Sequence, residues 1–261
     1  TANPYFIGYM DEMRVTIGQA RYDGSFTVPS AAFPDDSSDA NFANVTLLMH
    51  MEGVDSAQVF NDVKSHTVTV SGTPSTRTAN FKFGSSSAYF DGSAGYLSIA
   101  ANTDFSLSSG DFTIESWVYL NAMPASGSAA IIVQRRNSDG TADNSYVFWV
   151  SPTGVLEFDY SSTGTTQVSV ISPVGLVTPK AWHHVAVCRV GNKLILFVNG
   201  TPVAIDLISV TLFESTSPLT IGNRPDGLRP FNGYMDELRI TKGVGRYRGQ
   251  FTPSTMMLPR T

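Results

Sequence analysis

Residues 112–120 read Phe-Thr-Ile-Glu-Ser-Trp-Val-Tyr-Leu, an alternation of period two that suits a strand and not a helix. Phe112, Ile114 and Val118 fall on one face, while Glu115, Trp117 and Tyr119 form a mixed second face. Lys193–Asn199 is an apolar run bounded by turn residues, the pattern of a strand covered on both sides. It ends in Asn199-Gly200, a dipeptide that tolerates the positive φ of a two-residue hairpin, and Thr201–Ile205 then returns. Ser151-Pro152-Thr153-Gly154 joins Tyr146–Val150 to Val155–Tyr160 in the same way. No stretch of useful length carries amphipathic helical periodicity. Many short strands separated by turn signals predict an all-β sandwich or barrel.

The 261 residues are enough for one such domain with its own core. With 42% hydrophobic and 15% charged residues the chain is globular, and its net charge of −5 comes without a basic stripe, which argues against a nucleic-acid surface. Cys188 is the single cysteine, so no disulfide forms within the chain, and its apolar neighbours predict a buried thiol. No run reaches the roughly 18 apolar residues of a membrane span, and no membrane insertion is expected. The chain opens at Thr1 without a methionine, as expected of a piece of something longer.

Phe6-Ile7-Gly8-Tyr9-Met10-Asp11-Glu12-Met13-Arg14-Val15-Thr16 returns as Phe231-Asn232-Gly233-Tyr234-Met235-Asp236-Glu237-Leu238-Arg239-Ile240-Thr241, an offset of 225 residues without a gap. A spacing of that size is a domain and not a solenoid unit. Residues 1–34 are therefore expected to close a preceding copy or to add a strand. Residues 35–44 would be a polar linker, 45–250 the complete domain and 251–261 a C-terminal tail.

The blocks Ser87–Gly92, Tyr96–Ile99, Asp111–Val118, Trp182–Val187, Leu196–Gly200, Leu219–Asn223 and Phe231–Ile240 occur in an order that resembles the laminin G-like, concanavalin A-like jelly roll. The resemblance implies two packed antiparallel sheets. The closing stretch from Asp236 through Arg246-Tyr247 to Phe251-Thr252-Pro253 is similar to versions found in bacteriophage tail, fibre and other virion proteins. That narrower resemblance implies a virion-surface or extracellular module. Its partners would be a glycan or host-surface polysaccharide, other virion proteins and further copies in a homo-oligomer. Such folds serve lectins and inert spacers alike, so a purely structural spacer stays open beside glycan binding or particle decoration.

Catalysis is not expected. Glu157 and Asp159 form the one close alternating acid pair on a strand, with Cβ atoms about 7 Å apart. Glycoside hydrolysis wants two carboxylates flanking a bond, and a solvated outer face is the simpler expectation. His183 and His184 are strand neighbours that point to opposite faces and do not chelate one ion; one of them is expected to be buried beside Trp182. Asp236 shares an alternation with Leu238 and Ile240, which places an aspartate on a core-facing row. It is then either a hydrogen-bond anchor for a neighbouring loop or part of a structural calcium site with Glu52. In lectins similar to this fold, rim loops hold calcium that grips ligand hydroxyls. The matching loops here carry Asp139, Asp143 and Asn144, and Asn223 and Asp226; the same residue types are common in any exposed turn.

Overall fold

The computed structural model describes residues 38–137 and 142–261; the first copy of the duplicated segment lies outside them, as does Asp139. Among the described residues fifteen strands run in chain order as β1 (Val45–Met49), β2 (Val68–Ser71), β3 (Ser75–Arg77), β4 (Ser87–Asp91), β5 (Tyr96–Ile99), β6 (Phe112–Leu120), β7 (Ala130–Arg135) and β8 (Tyr146–Val150). They continue as β9 (Leu156–Tyr160), β10 (Val168–Ile171), β11 (Trp182–Val190), β12 (Lys193–Val198), β13 (Thr201–Leu207), β14 (Leu219–Ile221) and β15 (Asn232–Lys242). Among the described residues the helical content is two three-residue 3-10 turns, Phe42–Asn44 and Thr103–Phe105.

The strands form two antiparallel sheets. One has eight strands in the order β13-β12-β11-β6-β15-β4-β3, with β1 also on β15; the other has seven in the order β10-β9-β8-β7-β14-β5-β2. β15 is long enough to serve two partners along one edge, pairing β4 through Asn232–Met235 and β1 through Leu238–Thr241. Its other edge lies along β6. The inward residues predicted for β6, Phe112, Ile114 and Val118, are fully buried. The Phe112 ring meets Phe158 of β9 across the sandwich at 5.8 Å. Asn199 and Gly200 adopt φ of 51° and 78° and close the β12–β13 hairpin as the dipeptide predicts.

The outer face of the eight-stranded sheet is also covered. Tyr247 and Phe251, from the segment after β15, stack on each other at 3.5 Å and pack over Ala186, Cys188, Ile195 and Phe197. Cys188 is buried as expected, and burial pushes its thiol up to about 12. The chain end is held too: Leu258 donates its amide to Glu237 at 2.7 Å, and Asp39 donates its own to the Thr261 carbonyl at 2.8 Å.

β15 contains a bulge. Asp236 stands opposite Trp117 and Arg239 opposite Glu115, so two residues of β15 face Ser116 alone. Glu237 takes φ of 51°, and Ser116 Oγ donates to the Asp236 carbonyl at 3.0 Å. The extra residue shifts the alternation, so Met235, Leu238 and Ile240 all enter the core. Asp236 therefore belongs to the outer face with Trp117, not to the core-facing row that unbroken alternation requires.

Gly233 opens this strand at φ +152°, and an added Cβ there would collide with the Tyr119 carbonyl. Gly233→Ala is expected to cost about 1–3 kcal/mol by overpacking against backbone. In a domain of this size that lowers the melting temperature by roughly 2–12 °C, measurable by calorimetry; an unchanged melting temperature would refute it.

Candidate functional site

The residues that point outward from the seven-stranded sheet follow directly from alternation: Ile131 on β7, Val147 and Trp149 on β8, Glu157 and Asp159 on β9, Ser169 on β10. With Arg136 at the end of β7 and Arg224 and Arg229 from the β14–β15 loop they line a groove of about 430 Å³. Tyr146, three residues before Trp149, faces the core, where its hydroxyl donates to the Phe105 carbonyl at 3.2 Å.

Trp149 is half-buried, and its Nε1 donates to Asp159 Oδ2 at 2.8 Å. Ser169 Oγ donates to the other Asp159 oxygen at 2.5 Å. Asp159 is 4% exposed, so the pair expected to be a solvated face instead forms a groove floor. Burial, and then the Asp159 carboxylate beside it, push Glu157 up to about 7. A carboxyl whose folded value lies above its unfolded one stabilises the fold while protonated. That contribution is complete below the ordinary glutamate value and disappears as pH rises through about 7. The melting temperature of the native chain is therefore expected to fall from pH 5 to 8 relative to that of Glu157→Gln; parallel curves would refute it.

The groove wall is built by residues that the sequence places at the rim. Asn223 is fully buried. Its Oδ1 accepts from the amides of Arg224 at 2.8 Å and Arg229 at 3.0 Å, and its Nδ2 donates to the Ser93 carbonyl at 3.1 Å. Asp226 accepts from Arg224 Nε at 2.8 Å, pairs with its terminal nitrogen, and accepts from the Leu228 amide at 3.0 Å. Both residues thus position the arginine-bearing loop. Asp143 accepts from Ser215, Thr216 and Ser217, with Ser217 Oγ at 2.5 Å. The Asn144 amide donates to the Gly164 carbonyl at 3.0 Å. The described rim carboxylates are thus engaged by protein donors, and no group of three or more His, Cys, Asp or Glu suited to a metal occurs among the described residues.

Asp236 and Glu52 meet at one loop. Asp236 Oδ2 accepts from the amides of Lys82 at 2.9 Å and Phe83 at 3.1 Å, while Glu52 accepts from the Ser85 amide at 3.1 Å and its hydroxyl at 2.7 Å. Asp236 Oδ1 is buried without a partner. Burial, reinforced by Glu237 and Glu52 against the two amides, pushes Asp236 up to about 8. A buried carboxylate oxygen without a partner calls for a proton or a cation, and Glu52, bonded to the same loop, is the second carboxylate that a hard cation would need.

His183 and His184 are both buried, on opposite faces, where one burial was expected. His183 Nε2 accepts from the Thr178 amide at 3.2 Å, and burial holds its pKa below the usual range. His184 Nε2 meets Glu115 at 3.1 Å. Glu115 also accepts from Arg239 at 2.9 and 2.7 Å and from the Tyr247 hydroxyl at 2.7 Å. Arg239 reaches Asp39 at 3.1 Å, and Asp39 reaches Arg246 at 2.6 Å. This network is architectural and buried under the C-terminal segment.

The sequence profile of the concanavalin A-like lectin/glucanases superfamily matches residues 90–244. The chain belongs to that superfamily. Among solved structures, the binding domain of Paraclostridial Mosquitocidal Protein 1 superposes with a TM-score of 0.60 at 14% identity, over 81% of this chain and 50% of that one. Domain 4 of AbnA, an extracellular arabinanase from Geobacillus stearothermophilus solved with arabinotriose, gives 0.55 at 16% identity, over 81% of this chain and 96% of that one. Adhesion G-protein coupled receptor V1 of Danio rerio is 22% identical over 165 residues, 60% of this chain and 3% of the receptor. The chain thus spans a small part of that receptor and half of the mosquitocidal binding domain. Of the two solved structures, the first is described as a binding domain and the second as one domain of an arabinanase. No helix among the described residues is long and apolar enough to cross a membrane.

Proposed function

We propose that this domain is a non-catalytic glycan-binding module displayed at a virion surface, where it attaches to host or environmental polysaccharide or decorates the particle. The groove around Trp149 carries the glycan assignment: a half-buried indole fixed by Asp159 stands beside carboxyl, hydroxyl and guanidinium groups, the combination of apolar ring and directed polar groups that sugars require. The arabinotriose-bound domain of the same fold supports it. Display on a particle is supported by the phage-like closing stretch and by its copy 225 residues upstream; repetition multiplies weak single-site binding through effective concentration. Binding is favoured over hydrolysis because Glu157 and Asp159 lie side by side on one strand of the groove floor, with both Asp159 oxygens taken by Trp149 and Ser169, whereas glycosidase carboxyls flank the scissile bond from opposite sides.

The test is the full chain on a glycan array, with calcium and with chelator. Retention of a glycan class by the native chain and its loss in Trp149→Ala is the expected result; a blank array from folded protein would replace this function with that of a structural spacer.

Calcium at Asp236 and Glu52 would tie the loop bearing Lys82 and Phe83 to β15 and neutralise the Asp236 carboxylate. Saturating calcium is expected to raise the melting temperature of the native chain by several degrees, as about 2.7 kcal/mol at a hundredfold excess over Kd requires. Asp236→Asn should show no such rise. Equal calcium response in both proteins would refute the site.

A further inference from the structure

The groove's charge is uneven. Three guanidiniums, those of Arg136, Arg224 and Arg229, converge on it in a chain whose net charge is −5. Arg224 is paired with Asp226. Arg229 donates NH1 to the Gly127 carbonyl at 2.6 Å, and Arg136 donates Nε to Gln134 Oε1 at 3.0 Å; neither has an ion-pair partner among the described residues. Burial, and then the charge of Arg224 beside it, lower Arg136 to about 10, with Arg229 adding to the same effect against Asp159 and Asp226. A buried guanidinium crowded by two others is an unfilled demand for an anion.

The polar floor next to Arg136 is incomplete in the same sense. Gln134 and Thr220 are register partners on β7 and β14, on the outward face, and both are fully buried. Gln134 Nε2 and Thr220 Oγ1 have no hydrogen-bond partner. Unused donors therefore lie beside unused positive charge.

Resting on the glycan-binding function above, we propose that the ligand of this groove is an acidic polysaccharide, a carboxylate-bearing sugar whose carboxylate is held by Arg136 and Arg229 while its ring lies against Trp149. A guanidinium offers paired N–H donors that match a carboxylate. Arg224, clamped by Asp226 and fixed through Asn223, sets the wall. Glu157 and Asp159 are the groove carboxyls that would oppose the ligand; Asp159 is engaged by Trp149 and Ser169, and the upward shift of Glu157 to about 7 lowers its share of the opposing charge.

The experiment uses the full chain and matched pairs of uronate oligosaccharides, each in its native form and with its carboxylates reduced to alcohols, together with sulfated and neutral glycans on one array. Binding of a native uronate glycan at least tenfold tighter than its reduced partner is expected. That binding should weaken as ionic strength rises and fall tenfold or more in both Arg136→Met and Arg229→Met, with melting temperatures showing that both variants are folded. Retention of neutral glycans alone, sensitive to Trp149→Ala, would overturn the acidic ligand and leave the glycan-binding groove standing. Retention of sulfated but not carboxylated sugars would overturn the carboxylate assignment. A blank array would overturn the groove's function, and this inference with it.

Discussion

Replacing Glu115 by alanine is expected to destabilise the domain by about 3–5 kcal/mol, the cost of leaving a buried charge without its partner. Glu115 is 1% exposed and takes hydrogen bonds from Arg239, His184 and Tyr247. Burial alone would raise its carboxyl, but the Arg239 guanidinium, His184 and Tyr247 outweigh burial and hold it well below the usual carboxylate range. In the variant, Arg239 keeps only Asp39, and the Tyr247 hydroxyl and His184 lose their shared acceptor. The melting temperature should fall by roughly 6–20 °C. The effect has a pH signature. Because the folded value is depressed, this stabilisation is present above the ordinary glutamate value and is lost as pH falls toward the folded one. The gap between native and variant melting temperatures should therefore narrow on acidification. The double variant Glu115→Leu, Arg239→Met, which removes both charges, should recover part of the loss. A single variant as stable as the native chain, or a gap independent of pH, would refute the role given to this network.

Trp149→Ala should weaken glycan binding about thirtyfold or more, as loss of a hot-spot aromatic worth about 2 kcal/mol implies, while leaving the fold intact. The indole contributes twice. Its ring lines the groove, and its Nε1 holds the Asp159 carboxylate. Trp149→Phe separates the two: it keeps an aromatic surface and removes the hydrogen bond, so binding should fall by a smaller factor. Titration calorimetry with a glycan retained by the native chain reads both. Equal affinity in native and Trp149→Ala protein would place the site elsewhere on the molecule.

Strand identity was legible in the sequence wherever alternation ran unbroken, as in Phe112–Leu120, or where turn chemistry bounded a run, as at Asn199-Gly200. The same alternation put Tyr146 and Trp149 on opposite faces, although nothing local says which of them meets the core. It failed at Asp236. One inserted residue at Glu237 reverses the face of everything before it, and bulges leave no residue-type signature as reliable as a glycine in a turn.

The candidate site divides in the same way. Asn223 and Asp226 were legible as polar residues of a rim loop, and they do shape that loop, but through bonds to Arg224, Arg229 and Ser93 that sequence position does not indicate. Arg136, Arg224 and Arg229 were not singled out at all: an Arg135-Arg136 pair at a strand end and two loop arginines 88 and then 5 residues farther on look like ordinary solvated surface. The acids Glu157 and Asp159 were visible as a pair, yet their setting depends on Trp149 and Ser169 arriving on neighbouring strands. By itself the sequence determined the all-β class, the hairpins and the inward rows, because those follow from backbone geometry and the local burial pattern, while the two-sheet jelly roll was implied by the resemblance of its ordered blocks to a known family. Only the tertiary structure decided which outward rows become a groove and which are sealed beneath the C-terminal segment. That outcome depends on what long-range pairing and loop packing lay over each face, and a charged or aromatic side chain on an outer face carries no local mark of what will cover it.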